Sequence, residues 1–202
     1  MTATETANPT LPPLIGLSGY ARTGKDEVAK ILVSEYGYER RAFADALRKI
    51  LYALNPVVGW NESWTECEHY RMAEIVDEIG WEAAKTQYDE VRRLLQRLGT
   101  EAGRNVLGDD IWVNTCLANR PPLLVIPDVR FPNEKAAIEG LGGHVIRISR
   151  PGVTAVNAHV SEKALDGEIF TYGIDNNGTL GDLATRVRLV VGLMTRTEVA
   201  TQ

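Results

Sequence analysis

Cysteine and histidine are scarce in this sequence, which limits two kinds of stabilising site. The only cysteines among the 202 residues are Cys67 and Cys116, and they form no C-x-x-C pair. We expect both to be reduced thiols in a cytoplasmic protein. The three histidines, His69, His144 and His159, have no zinc-binding spacing. These absences argue against a disulfide framework and against a zinc site.

Excess positive charge and long apolar runs are also lacking. The net charge is −5, which argues against a broad basic face for duplex nucleic acid but leaves room for a local anion site. No apolar run is long enough to span a membrane. Residues 1–13 have neither the basic start nor the apolar centre of a signal peptide. We predict that residues 1–13 are a disordered tail and that 196–202 form a second tail.

Short apolar runs alternate with helical patterns along the rest of the chain. The pattern predicts strands over 14–18, 39–43, 122–128, 144–149 and 169–175. It predicts helices over 25–36, 44–54, 109–119, 133–143 and 179–194. Such alternation is typical of an α/β fold with a mostly parallel five-stranded sheet flanked by helices. We predict one domain over 14–195, with a helical insert over 55–120 that builds a substrate pocket. Within the insert, residues 62–98 are predicted to be mostly helical, with breaks near Gly80 and Gly99.

The stretch "GYARTGKD" (19–26) has the spacing of a phosphate-binding P-loop, G-x-x-x-x-G-K. An apolar strand precedes it and a helix follows, which is the context that the motif needs. Glycines let backbone N–H groups surround phosphate oxygens, and Lys25 can reach the β- and γ-phosphates. The alternative is a glycine-bearing turn with an incidental lysine. The predicted phosphate-binding residues are Gly19, Ala21, Arg22, Thr23, Gly24, Lys25, Asp26 and Glu27.

Two aspartates are candidate magnesium ligands. Asp26 stands where P-loops usually have Ser or Thr, and a carboxylate is also a hard oxygen ligand that suits Mg²⁺ directly or through water. The alternative for Asp26 is an acidic residue favoured by the helix dipole. Asp128 follows a buried strand in "VIPDVRFPNE", where ligands of parallel sheets bind. The alternative for Asp128 is a turn aspartate.

Several charged residues are candidates for contacts to transferring or acceptor phosphates. Arg130 follows Asp128 and is placed to meet a phosphate. Arg150 starts "RPGV", which suits either a lid over 150–162 that brings an arginine onto the phosphate or a plain surface loop. Arg147 or Arg130 could fill the same role. Asp45, in "FADALRK", could cap a helix or face the acceptor.

Seven stretches together resemble the bacteriophage deoxynucleoside monophosphate kinases of the P-loop kinase superfamily. They are "GYARTGKD", "FADALRK", "LLQRLGTEAGR", "DDIWV", "PDVRFPNE", "HVSE" and "IDNNGTL", in the family's order over about residues 14–190. The resemblance implies a three-layer P-loop kinase fold. It also implies ATP-dependent, magnesium-dependent phosphoryl transfer to a deoxynucleoside 5′-monophosphate in the cytoplasm, that of the host if the chain is phage-encoded. Members are often homodimers, and the insert could supply the interface.

The resemblance also assigns roles to residues of this chain. Asn176, Asn177 and Gly178 would lie near the donor adenine. From the motif spacing and their positions after strands, we also predict that Lys25, Arg130 and Arg150 are catalytic. The resemblance places Phe43, Asp45, Lys49, Arg104 and Trp112 at the acceptor nucleotide. We predict that Gln96, Arg130, His159 and Glu162 also contact it. One alternative is another small-molecule kinase, such as one resembling dephospho-coenzyme A kinase. Another is a nucleotide-binding protein without catalytic activity.

Overall fold

The structure is a computed structural model that describes residues 11–62, 67–154 and 164–199. The chain divides into two compact units, which are described separately below. The sheet unit comprises Met1–Ala42 and Asn119–Gln202, and the inserted unit comprises Phe43–Ala118. No helix in the described ranges is both long enough and apolar enough to cross a membrane.

The sheet unit contains five strands and three helices in its described part. In chain order they are β1 (Leu14–Ser18), α1 (Lys25–Tyr36), β2 (Glu39–Arg40) and, after the inserted unit, β5 (Leu124–Val129), α7 (Pro132–Gly140), β6 (His144–Ser149), β7 (Tyr172–Asp175) and α8 (Leu180–Val199). The strands form one parallel sheet in the order β2-β5-β1-β6-β7. This confirms the predicted α/β fold with a parallel five-stranded sheet flanked by helices.

The central strand β1 is fully buried and packs against helices on both faces of the sheet. On one face, Leu17 belongs to an apolar cluster that includes Val28 of α1 and Val187 of α8. Burying each such aliphatic side chain contributes about 1.5–3 kcal/mol. On the other face, a Cβ atom at Gly16 would lie 2.7 Å from the Ile138 side chain of α7. Close packing of α7 therefore favours glycine at position 16.

The inserted unit combines helices with a β-hairpin. Its elements are α2 (Ala44–Leu54), β3 (Val57–Glu62), β4 (Cys67–Arg71), α3 (Met72–Gln87), α4 (Asp89–Arg97), a π-helical turn (Leu98–Arg104), α5 (Asn105–Leu107) and α6 (Ile111–Leu117). Strands β3 and β4 pair antiparallel. A separate apolar cluster holds the unit together and joins Leu51 of α2 to Val58, Met72, Ile75, Ala84 and Val91.

The inserted unit differs from the sequence-based expectation in three ways. The hairpin was not anticipated, because residues 62–98 were interpreted as mostly helical. The unit begins at Phe43 rather than at residue 55, because α2 packs its Leu51 into the core of the insert. The helical break expected near Gly80 is present, with φ 76° and ψ 162° inside α3, whereas Gly99 lies within a continuous helical turn.

The ends of the sheet unit are more ordered than expected where they are described. Leu11 packs against the core, the Tyr38 hydroxyl donates to the Pro12 carbonyl (2.6 Å), and the Leu124 N–H donates to the Pro13 carbonyl (3.0 Å). Part of the expected N-terminal tail is therefore packed, and residues 1–10 lie outside the described residues. The last helix continues to Val199, into the expected C-terminal tail.

Two strands are shorter than expected. The second strand keeps only Glu39–Arg40 of the expected 39–43, because Ala42 and Phe43 are buried and the chain turns there into α2. The last strand begins at Tyr172 rather than at residue 169. Ile169 is exposed, and Phe170 packs against the side chains of Lys135 and Arg147 instead of pairing in the sheet.

Candidate functional site

The P-loop sequence forms a tight turn between the central strand and the first helix. Three of its residues have positive φ: Gly19 (148°), Arg22 (67°) and Gly24 (102°). Residues that alternate between right-handed and left-handed conformations turn their N–H groups to one side and form a concave anion-binding nest. The turn ends at Gly24, which caps the N-terminus of α1, so the positive end of the helix dipole adjoins the loop.

Both motif glycines occupy positions where no side chain fits. A Cβ atom at Gly19 would overlap the Ile148 carbonyl oxygen of β6, and its distance to Thr23 Oγ1 would be 2.9 Å. A Cβ atom at Gly24 would overlap the Asn176 side-chain amide. Positive φ favours glycine at both positions. At Gly19 the close approach of the Ile148 backbone also requires it, whereas at Gly24 the neighbour is the end of the Asn176 side chain.

Lys25 directs its ammonium group back over the loop. Its Nζ donates to the Gly19 carbonyl (2.7 Å) and to the Tyr20 carbonyl (2.6 Å). The lysine stem is half-buried, so the charge is held beside the loop rather than in open solvent. The loop therefore combines a concave backbone, a helix N-terminus and a positioned ammonium, which together suit a polyphosphate.

Asn176 braces the P-loop from the C-terminal end of β7. Its Nδ2 donates to the Thr23 carbonyl (2.9 Å), and its backbone N–H donates to the Ser149 carbonyl (2.7 Å). Thr23 is buried and donates through Oγ1 to the Tyr20 carbonyl (2.9 Å). This bracing role was not anticipated from sequence, which placed Asn176 near the donor base.

The other two residues predicted to lie near the donor adenine, Asn177 and Gly178, come just before α8. Asn177 and Gly178 are exposed. The Asp182 carboxylate accepts hydrogen bonds from the Thr179 N–H (2.8 Å) and the Thr179 hydroxyl (2.8 Å) and so caps the helix. The hydrogen bond from the Thr179 backbone holds the pKa of Asp182 below its usual value. The segment is thus fixed at both ends, by Asn176 and by this cap.

The two candidate metal ligands lie at the ends of neighbouring elements of the sheet unit. Asp26 is exposed in the first turn of α1, and Asp128 is half-buried in β5. Ser18, which precedes the P-loop, pairs with Val129, so Asp128 lies at the carboxyl edge where the loop begins. No cluster of three or more acidic, histidine or cysteine side chains suited to a metal occurs among the described residues. Both side chains are carboxylates, the hard oxygen ligands that Mg²⁺ prefers.

The turn after Asp128 is fixed by a buried glutamate. Glu134 is only 3% exposed, and its Oε2 accepts hydrogen bonds from the backbone N–H groups of Arg130 (2.7 Å) and Phe131 (3.0 Å). Arg130 is exposed at this turn. Glu134 was missed as a site residue, although Pro132 followed by Glu134 is the pattern of a helix N-terminus.

The expected lid is described only at its start. Arg150 is exposed at the end of β6, and its carbonyl accepts a hydrogen bond from the Val153 N–H (3.1 Å) in a turn that contains Gly152 at φ 75°. Residues 155–163 lie outside the described residues, so His159 and Glu162 cannot be placed. Arg147 lies three residues earlier, within β6, and donates to Ser18 Oγ (3.1 Å) and to Asp166 Oδ1 (3.1 Å).

The predicted acceptor residues of the inserted unit occupy different environments. Phe43 is buried at the start of α2, whereas Lys49 is exposed on the same helix. Asp45 and Gln96 are half-buried. Arg48, the neighbour of Lys49, donates to Glu82 (3.1 Å). Lys49 is therefore the more accessible of the two adjacent cations.

Arg104 and Trp112, both predicted to contact the acceptor, are largely buried inside the inserted unit. Arg104 is 8% exposed and donates through Nη1 to the Asp109 carbonyl (2.9 Å). Trp112 donates through Nε1 to the Gly99 carbonyl (2.8 Å), and its ring packs where a side chain at Gly103 would stand. Both side chains therefore stabilise the π-helical turn through these contacts.

The inserted unit also contains a pocket that the sequence did not indicate. Its volume is about 350 Å³, and its lining consists of Leu51, Leu94, Arg97, Leu98, Glu101 and Ala102. Arg97 and Glu101 form an ion pair at 3.3 Å. None of the predicted acceptor residues lines this pocket, although Leu94 to Arg104 belong to the stretch that carries the resemblance.

Two solved structures and several curated relatives are similar to this chain. A gluconokinase from Sinorhizobium meliloti 1021 has a TM-score of 0.45 at 12% identity, covering 95% of this chain and 98% of that one. A dephospho-CoA kinase from Campylobacter jejuni has a TM-score of 0.41 at 14% identity, covering 91% of this chain and 98% of that one.

The curated relatives come from viruses. A putative deoxynucleotide monophosphate kinase of Acanthamoeba polyphaga mimivirus is 29% identical over 191 residues, covering 86% of this chain and 93% of the relative. The deoxynucleotide monophosphate kinase of Enterobacteria phage T4 is 30% identical over 108 residues, covering 48% of this chain and 44% of that protein.

The family model for deoxynucleotide monophosphate kinase matches residues 52–187. The match includes the last residues of α2 and the rest of the inserted unit, together with Asp128, Arg147, Arg150 and Asn176. It begins after the P-loop, so the loop stands on its own spacing and geometry. Because the match covers more than half of the sequence, the chain belongs to the deoxynucleotide monophosphate kinase family.

Proposed function

We propose that this chain transfers the γ-phosphoryl group of ATP to a deoxynucleoside 5′-monophosphate, giving the diphosphate and ADP. The observation that carries the proposal is the P-loop, in which Lys25 is held by two loop carbonyls at the N-terminus of α1. Family membership supports a deoxynucleoside monophosphate as the acceptor. The viral relatives are named as deoxynucleotide monophosphate kinases, which supports the same acceptor class.

The proposed reaction needs positioning and charge rather than a general base. An oxygen of the acceptor phosphate attacks the γ-phosphorus, and the bond from that phosphorus to the β–γ bridging oxygen breaks as ADP leaves. The acceptor phosphate is largely ionised at neutral pH, because its second pKa is about 6. No proton therefore has to be removed from the nucleophile, and the protein's task is to align the two phosphates and offset their negative charge.

Lys25 and the backbone of the loop are proposed to bind the donor phosphates. Binding would add phosphate oxygens to the contacts that the Lys25 ammonium makes with the loop carbonyls. Asp26 and Asp128 are the residues that would hold Mg²⁺, which would offset charge on the phosphate oxygens. A carboxylate beside phosphates is repulsive without a cation, so Asp26 makes the cation more necessary.

Substitutions at Asp26 test the metal assignment. Asp26→Asn is expected to raise the Mg²⁺ concentration for half-maximal activity by about tenfold, because an amide is a weaker partner for a bound cation. Asp26→Ser is expected to retain more activity than Asp26→Ala, because serine restores the usual P-loop ligand. Initial rates over a magnesium titration check this, with Glu35→Gln as a control that breaks an ion pair at the far end of α1. Equal behaviour of all three variants would reduce Asp26 to a helix-start residue.

The inserted unit is proposed to bind the acceptor, with Arg104 as a phosphate ligand. Arg104→Ala is expected to raise the acceptor KM by at least about tenfold with little change in the ATP KM, because a guanidinium binds phosphate through charge-assisted hydrogen bonds. The variant also loses the hydrogen bond to Asp109, at a cost of about 1–3 kcal/mol in unfolding free energy. Steady-state kinetics and chemical denaturation measure the two effects separately.

The matched control for Arg104 is Arg93→Ala in the same unit. Arg93 is exposed and pairs with Glu90 on the surface of α4, so its loss is expected to leave both KM values unchanged. If Arg104→Ala changed both KM values equally, or changed only stability, the acceptor role would be wrong.

Arg130 and Arg150 are proposed to stabilise charge in the transition state. Each is exposed at the carboxyl end of a strand, β5 and β6 respectively, on the sheet unit that holds the P-loop. An interaction made only in the transition state lowers kcat when removed and leaves ATP affinity alone. Comparison of kcat and the ATP Kd for the two alanine variants distinguishes this role from ground-state binding.

The decisive experiment for the proposed function is an acceptor panel with ATP and Mg²⁺. It contains the four deoxynucleoside monophosphates, their ribonucleotide counterparts and dephospho-coenzyme A, with ADP formation as the readout. Turnover on one or more deoxynucleotides is expected. Turnover on dephospho-coenzyme A alone would favour the other small-molecule kinase. ATP binding without turnover on any acceptor would favour a non-catalytic nucleotide-binding protein.

A further inference from the structure

An aspartate outside the proposed chemistry contacts the first residues of the P-loop. Residues 164–171, here called the return segment, lead into strand β7, and Leu165 fixes the segment by being buried. Asp166 Oδ1 accepts a hydrogen bond from the Tyr20 hydroxyl (2.8 Å) and another from Arg147 Nη2 (3.1 Å). One carboxylate oxygen of the return segment is therefore shared between the P-loop and strand β6.

Arg147 ties these groups to the end of the central strand. Its guanidinium carbon lies 5.2 Å from the centre of the Tyr20 ring and 5.5 Å from the centre of the Phe170 ring. Its Nη1 donates to Ser18 Oγ (3.1 Å), and Ser18 immediately precedes the P-loop. The Tyr20 side chain is thus held through both its ring and its hydroxyl.

Tyr20 is also the residue whose carbonyl organises the interior of the loop. That carbonyl accepts hydrogen bonds from Lys25 Nζ (2.6 Å) and from Thr23 Oγ1 (2.9 Å). A change in the position of Tyr20 therefore changes the position of the Lys25 ammonium. The hydrogen bond to Asp166 raises the pKa of the Tyr20 hydroxyl, so this hydroxyl remains a donor at neutral pH.

We infer that Tyr20, Arg147 and Asp166 are positioning residues that set Lys25 for the donor phosphates. None of the three needs to touch the nucleotide; they act through the Tyr20 carbonyl. The inference rests on the proposed function only for the identity of the donor, ATP. The Arg147–Asp166 pair is partly exposed, with side chains 24% and 37% accessible, so it contributes little to overall stability. Its effect is expected in nucleotide affinity instead.

The test compares ATP binding by four forms of the full chain: wild type, Tyr20→Phe, Asp166→Asn and the double variant. Tyr20→Phe keeps the ring against Arg147 and removes only the hydroxyl, so the variant is expected to fold. Titration calorimetry with ATP and Mg²⁺ is expected to give a Kd about two- to tenfold higher for each single variant, the size of one lost hydrogen bond. The double variant is expected to match Asp166→Asn, because the two changes remove the same bond.

Two further readouts separate positioning from general structural support. Melting temperatures should stay within a few degrees of wild type, and the KM for a deoxynucleoside monophosphate should stay constant while the ATP KM rises. The control is Glu35→Gln, which breaks another arginine–carboxylate pair of the sheet unit, with Arg188 at 2.7 Å, and should leave the ATP Kd unchanged.

Three results would overturn the inference. The first is an unchanged ATP Kd in both single variants. The second is a double variant whose fold-change in ATP Kd is the product of the two single fold-changes. The third is a wild-type chain that does not bind ATP. A wild-type chain that binds ATP but phosphorylates no deoxynucleotide would overturn the proposed function alone. In that case, the calorimetric comparison would still decide the role of the contact between Tyr20 and Asp166.

Discussion

Replacing Lys25 with alanine is expected to lower kcat/KM by about a hundredfold to a thousandfold. The ammonium is held by the Gly19 and Tyr20 carbonyls at the N-terminus of α1, where donor phosphates are proposed to bind. Removing one preorganised electrostatic contact to a reacting group costs about 2.7–4 kcal/mol in transition-state stabilisation. Initial rates of ADP formation at saturating and subsaturating ATP measure this loss.

The matched control for Lys25 is Lys30→Ala on the same helix. Lys30 is exposed and pairs with Glu27 at 2.7 Å, so its removal also deletes a lysine charge from α1. Exposed pairs of this kind contribute about 0–1 kcal/mol to stability. Activity near the wild-type level is expected for Lys30→Ala. Near-normal turnover in Lys25→Ala would overturn the assignment of the P-loop.

Gly24→Ala is expected to have the second largest effect, and Gly37 provides an internal comparison. Both glycines cap α1 and both have positive φ, 102° at Gly24 and 77° at Gly37. A Cβ atom at Gly37 meets nothing within 4 Å, whereas a Cβ atom at Gly24 overlaps the Asn176 amide. The backbone strain is therefore common to both variants, about 1–2 kcal/mol, and the clash belongs to Gly24 alone.

The two alanine variants should therefore separate stability from nucleotide binding. Gly37→Ala is expected to lower the unfolding free energy with no change in the ATP Kd. Gly24→Ala is expected to displace Asn176 and its hydrogen bond to the Thr23 carbonyl, and so to weaken ATP binding by more than about tenfold. Chemical denaturation and calorimetry on both variants check this. Equal ATP affinity of the two would show that Asn176 does not brace the loop for binding.

Elements with a strong local signal could be predicted from the sequence. The strand over 144–149 and the helices over 25–36 and 44–54 have the expected bounds, because apolar spacing and glycine or asparagine ends are local properties. The β3–β4 hairpin was missed because its strands are stabilised by cross-strand pairs, such as Trp60 with His69, rather than by local preference. The helix α3 begins at Met72, directly after β4, so the sequence shows no break between the hairpin and the helix.

In the candidate site too, local features could be predicted from the sequence and long-range contacts could not. The P-loop spacing is local, and the loop geometry suits the expected phosphate site. The contacts that hold the loop are not local: Tyr20 and Asp166 are 146 residues apart, and Asn176 and Thr23 are 153 apart. No spacing rule connects such pairs. Burial of Arg104 and Trp112 likewise depends on how the π-helical turn packs, which a single sequence does not reveal.

The position of β1 in the sheet has a consequence for biosynthesis. Among the strands of the described sheet, β1 leaves the ribosome before the others, yet its two neighbours come much later in the chain, since Leu14 pairs with Leu124 and Ile15 with His144. At about 5–20 residues per second, the apolar "LIGLS" segment waits about 5–20 s for a partner strand. The inserted unit emerges during that interval and has its own core. Nascent chains that stall before β5 would expose an unpaired apolar strand, which makes them substrates for chaperones or seeds of aggregation.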